Sequence, residues 1–281
     1  MRLQSLLTLC GLLAGSAALG SAAPLESPRP DPLARRLCDA LHALPQSRRA
    51  ECCGQKTGSS LADECARTLS ASLADRAVRL EVLEVDRCVA AASRALEGCD
   101  WVGTLAPLPP EACRAVIHGQ LTAGARCRSA LECGDGLACR GVGPTSPGVC
   151  SAPAPAGASC TSPADTLASE ASQLGYEEHH PDCSGFCQKG RCTAFVAVGG
   201  ACLSNAQCAP GTHCALGRCA AGPEPVLALK AGGETCSAAF ECKGSCLKAE
   251  GAAQGVCGMQ CNSWPPAGYT PPVYASPSRV R

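Results

Sequence analysis

Cysteine constrains this chain more than any other residue type: 25 of its 281 residues carry a sulfur, which calls for either metal or a network of disulfide bridges. One of them, Cys10, lies in a stretch that reads as a secretory signal. Arg2 precedes an apolar run from Leu3 to Leu19, and Gly20-Ser21-Ala22-Ala23 supplies the small residues a signal peptidase needs, so residues 1–23 are expected to be removed on export. Removal leaves 24 cysteines, an even number suited to twelve bridges in an oxidising compartment. A membrane helix is the alternative for the same run, but Gln4, Ser5, Gly11 and Gly15 interrupt it, and no later segment could span a bilayer. Lipidation of Cys10 is a second alternative, disfavoured by the bulky Leu9 just before it. The expected location is secreted or extracellular, with the periplasm as a variant of the same reading.

Charge points to no partner. After residue 23 the chain has 23 basic and 24 acidic side chains, a net charge of −1, and neither half forms the basic surface that nucleic acid demands. Three Phe, three Tyr and two Trp contribute little to a core. Cross-links are expected to substitute, because at roughly 3 kcal/mol for a loop of about 15 residues even half of the bridges would exceed the net stability of an ordinary domain.

The organisation that follows is a small disulfide-rich fold: an N-terminal disulfide-stapled α-helical region, then four Cys-rich β-hairpin or loop repeats. Residues 24–32, with four prolines, read as a linker, and residues 33–123 as the helical region. Asp31 can cap a helix with Pro32 in its first turn, and Leu33, Leu37, Leu41 and Leu44 share a face before Pro45 stops it. A second helix is expected from Ser60 through Leu61, Cys65, Leu69 and Leu73, with Cys65 facing the core. A third, over about 84–97, carries Val85, Cys88, Val89, Ala92 and Leu96 as its apolar stripe. Cys38, Cys52, Cys53, Cys65, Cys88, Cys99 and Cys113 are available to staple these helices together.

From Gly124 the texture changes. Gly-x-x-Cys recurs at Gly124, Gly157, Gly199 and Gly233, dividing residues 124–261 into repeats 124–156, 157–198, 199–232 and 233–261. The quartets are Cys127, Cys133, Cys139 and Cys150; Cys160, Cys183, Cys187 and Cys192; Cys202, Cys208, Cys214 and Cys219; and Cys236, Cys242, Cys246 and Cys257, with Cys261 in excess. The first gap is stretched to 22 residues in the second repeat, an insertion expected to be a mobile polar loop with a short helix at Ala164 to Leu174. Residues 262–281, with five prolines and no cysteine, read as an extended, disordered tail. Seven cysteines precede the repeats and seventeen follow, so full pairing demands a bridge between the two regions, for which Cys113 and Cys261 are the candidates. Pairing within each repeat cannot be read from spacing.

The repeats resemble the Dickkopf N-terminal cysteine-rich and EGF-like group of extracellular modules. The resemblance rests on Gly124-Ala125-Arg126-Cys127, Leu131-Glu132-Cys133, Gly136-Leu137-Ala138-Cys139 and Gly148-Val149-Cys150, echoed in the third repeat by Gly199-Gly200-Ala201-Cys202, Ala206-Gln207-Cys208, Gly211-Thr212-His213-Cys214 and Gly217-Arg218-Cys219. The overall layout, with Glu51-Cys52-Cys53 in the helical region, also resembles secreted Cys-rich proteins of myxobacterial-type bacteria. The resemblance implies an extracellular scaffold; receptor antagonism by animal Dickkopf proteins is not carried over, because cysteine spacing describes a frame and not a function.

Enzyme and metal chemistry find no foothold. Closed zinc sites draw on Cys-x2-Cys or Cys-x4-Cys knuckles, and the chain has no Cys-x2-Cys; the nearest candidates are Cys183, Cys187 and Cys192 beside His179 and His180. Adjacent Cys52 and Cys53 could form a redox pair, but the simpler reading sends them to different partners. With only five His and no Gly-x-Ser-x-Gly elbow, no catalytic residue is nominated and no cofactor is expected. Tyr269-Thr270-Pro271-Pro272-Val273-Tyr274 is the most ligand-like short segment, although such tails are usually solvated. The expected role is a secreted, non-enzymatic binding module for an unknown protein or glycan; a lipid-anchored or cell-envelope structural protein is the alternative.

Overall fold

The computed structural model describes residues 29–103, 107, 109–143, 146–160, 165–171, 183–222, 229–238 and 241–261. The expected signal at residues 1–23, the tail with Tyr269 to Tyr274, and the His179–His180 pair lie outside these residues. Asp31 opens the first helix as its chemistry predicts: its carboxylate accepts from the backbone N–H groups of Leu33 and Ala34 at 2.8 and 3.1 Å, ahead of α1 (Pro32–Cys38). Pro45 does not stop the helix. A π-helical turn over Asp39–Ala43 widens the coil and runs into α2 (Leu44–Cys53), which places Pro45 in a first turn where its missing N–H leaves no bond unmade.

Helix α3 (Ala62–Ala74) buries Cys65, Ala66, Leu69 and Ser72, with Asp63 and Glu64 in its first turn. A strand not foreseen in the sequence, β1 (Val78–Leu80), leads into α4 (Val82–Ala95) and pairs antiparallel with β2 (Ile117–Gly119). Leu37, Leu41, Cys65, Leu69, Val85, Cys88 and Val116 form one core. Cys38–Cys65 ties α1 to α3, Cys88–Cys113 ties α4 to the segment before β2, and Cys52–Cys99 ties α2 to the end of α4.

In the first repeat β3 (Arg126–Cys127), β5 (Gly148–Ser151) and β4 (Ala138–Arg140) form a sheet with β5 in the middle. The second holds α5 (Thr166–Ala171) and the hairpin β6 (Phe186–Gln188) and β7 (Arg191–Thr193). The third is the hairpin β8 (Thr212–Ala215) and β9 (Arg218–Ala221). The fourth repeats the three-stranded sheet with β10 (Thr235–Cys236), β12 (Gly255–Gly258) and β11 (Ser245–Leu247). Each repeat joins its first cysteine to its third and its second to its fourth, in spite of gaps that vary: Cys127–Cys139 and Cys133–Cys150, Cys160–Cys187 and Cys183–Cys192, Cys202–Cys214 and Cys208–Cys219, Cys236–Cys246 and Cys242–Cys257.

The glycine of Gly-x-x-Cys has a backbone reason. At φ of +86, +89, +86 and +91° it takes the third position of a type II turn, a conformation that L side chains rarely adopt. Its N–H then donates to the carbonyl of the fourth cysteine at 2.7–2.8 Å in all four repeats. Short-range turn chemistry thus sets where each sheet begins.

Three contacts make the repeats and the helical region one unit. Glu132, fully buried, accepts from the Ser72 hydroxyl at 2.6 Å and from the Arg128 N–H at 2.6 Å, locking the first repeat to α3. The short helix expected in the insertion is α5 (Thr166–Ala171), and it is docked: Leu167 and Ala171 are buried in the core beside α3, and Asp165 caps α5 while holding the Ala130 N–H at 2.7 Å. The bridge between the regions is Cys53–Cys261. Cys113 was the wrong partner, because it lies beside α4, with its Cα 4.5 Å from that of Cys88. Around this clasp Leu96, Trp101 and Val102 form a second cluster, and Gly103 and Gly244 approach so closely that a Cβ at Gly103 would lie 2.5 Å from the Gly244 carbonyl oxygen.

Candidate functional site

Sulfur was the first candidate for chemistry. Cys127, Cys133 and Cys150 hold their Sγ atoms within 4.8 Å of one another, and each other repeat has such a triplet, formed by Cys202, Cys208 and Cys214 in the third. Every one of these sulfurs is already bonded to another sulfur, and a disulfide lacks the thiolate charge that zinc requires. Cys183, Cys187 and Cys192 are spent in the same way, in two different bridges. Cys52 and Cys53 go to Cys99 and Cys261, not to each other.

His118 and His213 each have a partner that is not a nucleophile. His118 on β2 pairs with Glu84 on α4 at 2.6 Å, which holds the Glu84 carboxyl below the usual carboxylate range, and His213 Nδ1 lies 3.0 Å from the Gly222 carbonyl oxygen. Lys230 lowers the Glu241 carboxyl likewise, within the fourth repeat. Beside the π-helical turn a cleft of about 530 Å³ is floored by Ala40, Ala43, Leu44 and Val89, and its lining contains neither histidine nor cysteine. Among the described residues no helix is long and apolar enough to cross a membrane.

What the frame presents outward is more informative. In every repeat the residues before the first cysteine, after the third and before the fourth line up across the strands, with the last of these in the middle. They read Arg126, Val149 and Arg140 in the first repeat and Ser159, Arg191 and Gln188 in the second. The third has Ala201, Arg218 and Ala215, and the fourth Thr235, Val256 and Leu247. Alternation along a strand turns a neighbour of a buried half-cystine outward, and eleven of these twelve residues are exposed, Ala215 being half-buried.

The row changes character while the frame does not. Arg191 and Arg218 each donate to the carbonyl of their own turn glycine, Gly157 at 3.0 Å and Gly199 at 2.8 Å, so these central arginines are part of the scaffold. The first repeat has Val149 there, between two arginines whose side chains have no hydrogen bond or ion pair among the described residues. The fourth presents the apolar Val256 and Leu247, and the third adds exposed Leu203 and Leu216 beside its row. Sequence reasoning missed these positions, although the signal was there: each is the chain neighbour of a repeat cysteine. Compared with known proteins, the chain matches no protein-family model, no curated protein and no solved structure.

Proposed function

We propose that the chain is exported, with residues 1–23 as its signal, and works as a non-enzymatic interaction module whose rigid disulfide repeats hold up differing side-chain rows to a protein or glycan partner. The observation that carries this reading is the contrast just described: one bridge pattern and one set of turn hydrogen bonds, four different outward rows. A frame built only for stability has no need to vary what stands on it. We also propose that the repeats are Dickkopf-type or EGF-like modules, on the strength of their cysteine runs.

Intact mass of the exported protein, before reduction and after thiol alkylation, tests the scaffold half of the proposal. A chain that starts at Pro24, lacks 24 hydrogens and takes up no alkylating agent supports it. A chain that starts at an acylated Cys10, or one with several reactive thiols, overturns it. For the binding half, replacing a row by Ser with all bridges intact should remove binding to the partner that row serves.

A further inference from the structure

The row on the first repeat differs from the other three in its free charge. Arg126, Val149 and Arg140 face one another in register across β3, β5 and β4. Directly opposed residues of antiparallel strands project from one face, so two guanidinium side chains flank a single valine that is 43 % exposed. Their backbones stand about 10 Å apart, two strand spacings of about 4.8 Å. No carboxylate shares the row. Arg128, nearby in sequence, is committed to Asp75 and Glu132, whereas the side chains of Arg126 and Arg140 have no hydrogen bond or ion pair among the described residues. The chain as a whole is close to neutral, so this pair is a local feature and not the edge of a general basic surface.

We propose that this row binds an anionic polysaccharide carrying its charge on every second sugar, a proposal that rests on the interaction-module reading above. Two planar forks set apart by a small apolar side chain suit two carboxylate or sulfate groups separated by an uncharged ring. In such a polymer the charges recur once per disaccharide, a length comparable to the separation of the two arginines. The C–H face of the intervening sugar lies over the Val149 methyl groups. An acidic peptide fits less well. An extended strand spaces its same-face side chains about 7 Å or about 14 Å apart, and a peptide pairing with a sheet edge runs along the strands, at right angles to this row.

The test uses the exported, fully bridged protein with hyaluronan oligosaccharides, which carry one carboxylate per disaccharide, and with heparin, poly-glutamate and uncharged dextran. Binding is measured by titration calorimetry over a range of salt. Saturable binding of hyaluronan is expected, weakening as salt rises, with heparin, charged on every sugar, as the densely charged comparison. The double substitution Arg126→Gln with Arg140→Gln should weaken it by about a hundredfold, roughly tenfold per charged contact, and Val149→Asp should abolish it. Absence of binding to hyaluronan, equal binding to poly-glutamate, or undiminished affinity in the double variant overturns the proposal. The unreduced intact mass of each variant separates these results from misfolding, and a correctly bridged protein that ignores polysaccharide leaves the scaffold reading standing while removing this one.

Discussion

Replacing Cys53 and Cys261 together by Ser opens the clasp between the helical region and the fourth repeat, and leaves the eleven other bridges intact. The two residues are 208 apart in sequence, but the bridges inside that loop shorten the covalent path to about 100 residues, for which closure entropy is worth about 4.7 kcal/mol. Beside the bridge, the Gln260 N–H donates to the Val102 carbonyl at 2.9 Å, Arg49 donates to the carbonyls of Gly103 at 2.6 Å and Gln260 at 3.4 Å, Gln55 donates to the Cys261 carbonyl at 3.3 Å, and Lys243 pairs with Asp100 at 3.5 Å, all of them at exposed or part-buried positions. The double variant should therefore lose about 3–5 kcal/mol in guanidinium unfolding under non-reducing conditions, and the Gln260 amide should lose most of its protection from hydrogen exchange. A loss below about 1 kcal/mol with Gln260 still protected would refute the reasoning, because the docking would then rest on the Trp101 and Val102 cluster and not on the clasp.

Glu132→Ala strands the Ser72 hydroxyl and the Arg128 N–H in a buried site and should cost about 2–4 kcal/mol by the same denaturation assay, with Glu132→Gln, which keeps one acceptor, costing less than half as much. Gly199→Ala meets no atom within 4 Å, so it should cost only the left-handed backbone penalty of about 1–2 kcal/mol and leave every bridge formed by thiol counting. Gly244→Ala would set a methyl 2.6 Å from the Asp100 carbonyl oxygen and 2.8 Å from those of Val102 and Gly258, so hydrogen exchange at Gln260 should rise as the fourth repeat is pushed off. His118 keeps the Glu84 carboxyl below its ordinary value of about 4.3, so the contact between β2 and α4 is present above that pH and is lost as pH falls through the lowered folded-state value. An NMR titration should find the Glu84 midpoint depressed, and back in the ordinary range in His118→Ala.

Features set by neighbours in sequence were legible. The Asp31 cap and the stripe of Val85, Cys88 and Ala92 on α4, continued by Leu96 at its C-cap, follow from chemistry within a few residues and stand in the structure, whereas the Gly-x-x-Cys recurrence marked the repeats without revealing the turn its glycine makes. Pro45 misled because a π-helical turn, which has no composition of its own, moved the proline to a helix start. Parity singled out Cys261 but could not say that Cys53 lies 5.4 Å from it by Cα, since that distance depends on how α2 packs. The four outward rows went unseen for a related reason. Val149 lies 23 residues from Arg126 and 9 from Arg140 in sequence, and the bridge pattern brings the three abreast. The spacing of four between Cys187 and Cys192, and between Cys214 and Cys219, did hold a usable clue. It leaves room for one cross-strand pair and a two-residue turn, Lys189-Gly190 and Leu216-Gly217, both with positive φ.

Helix α5 has a consequence for the order in which the molecule can be completed. Leu167 and Ala171 come from within the second repeat, yet they finish the core that α1, α3 and α4 begin. On the ribosome α5 emerges about 70 residues after the end of α4, a delay of roughly 4–14 s at common rates of synthesis. Throughout that interval the N-terminal helices have an open apolar flank, and the whole first repeat, with its two bridges, is made in the meantime. A fragment ending at residue 123 would keep that flank permanently uncovered, so α5 of the second repeat is needed to complete the core that α1, α3 and α4 share.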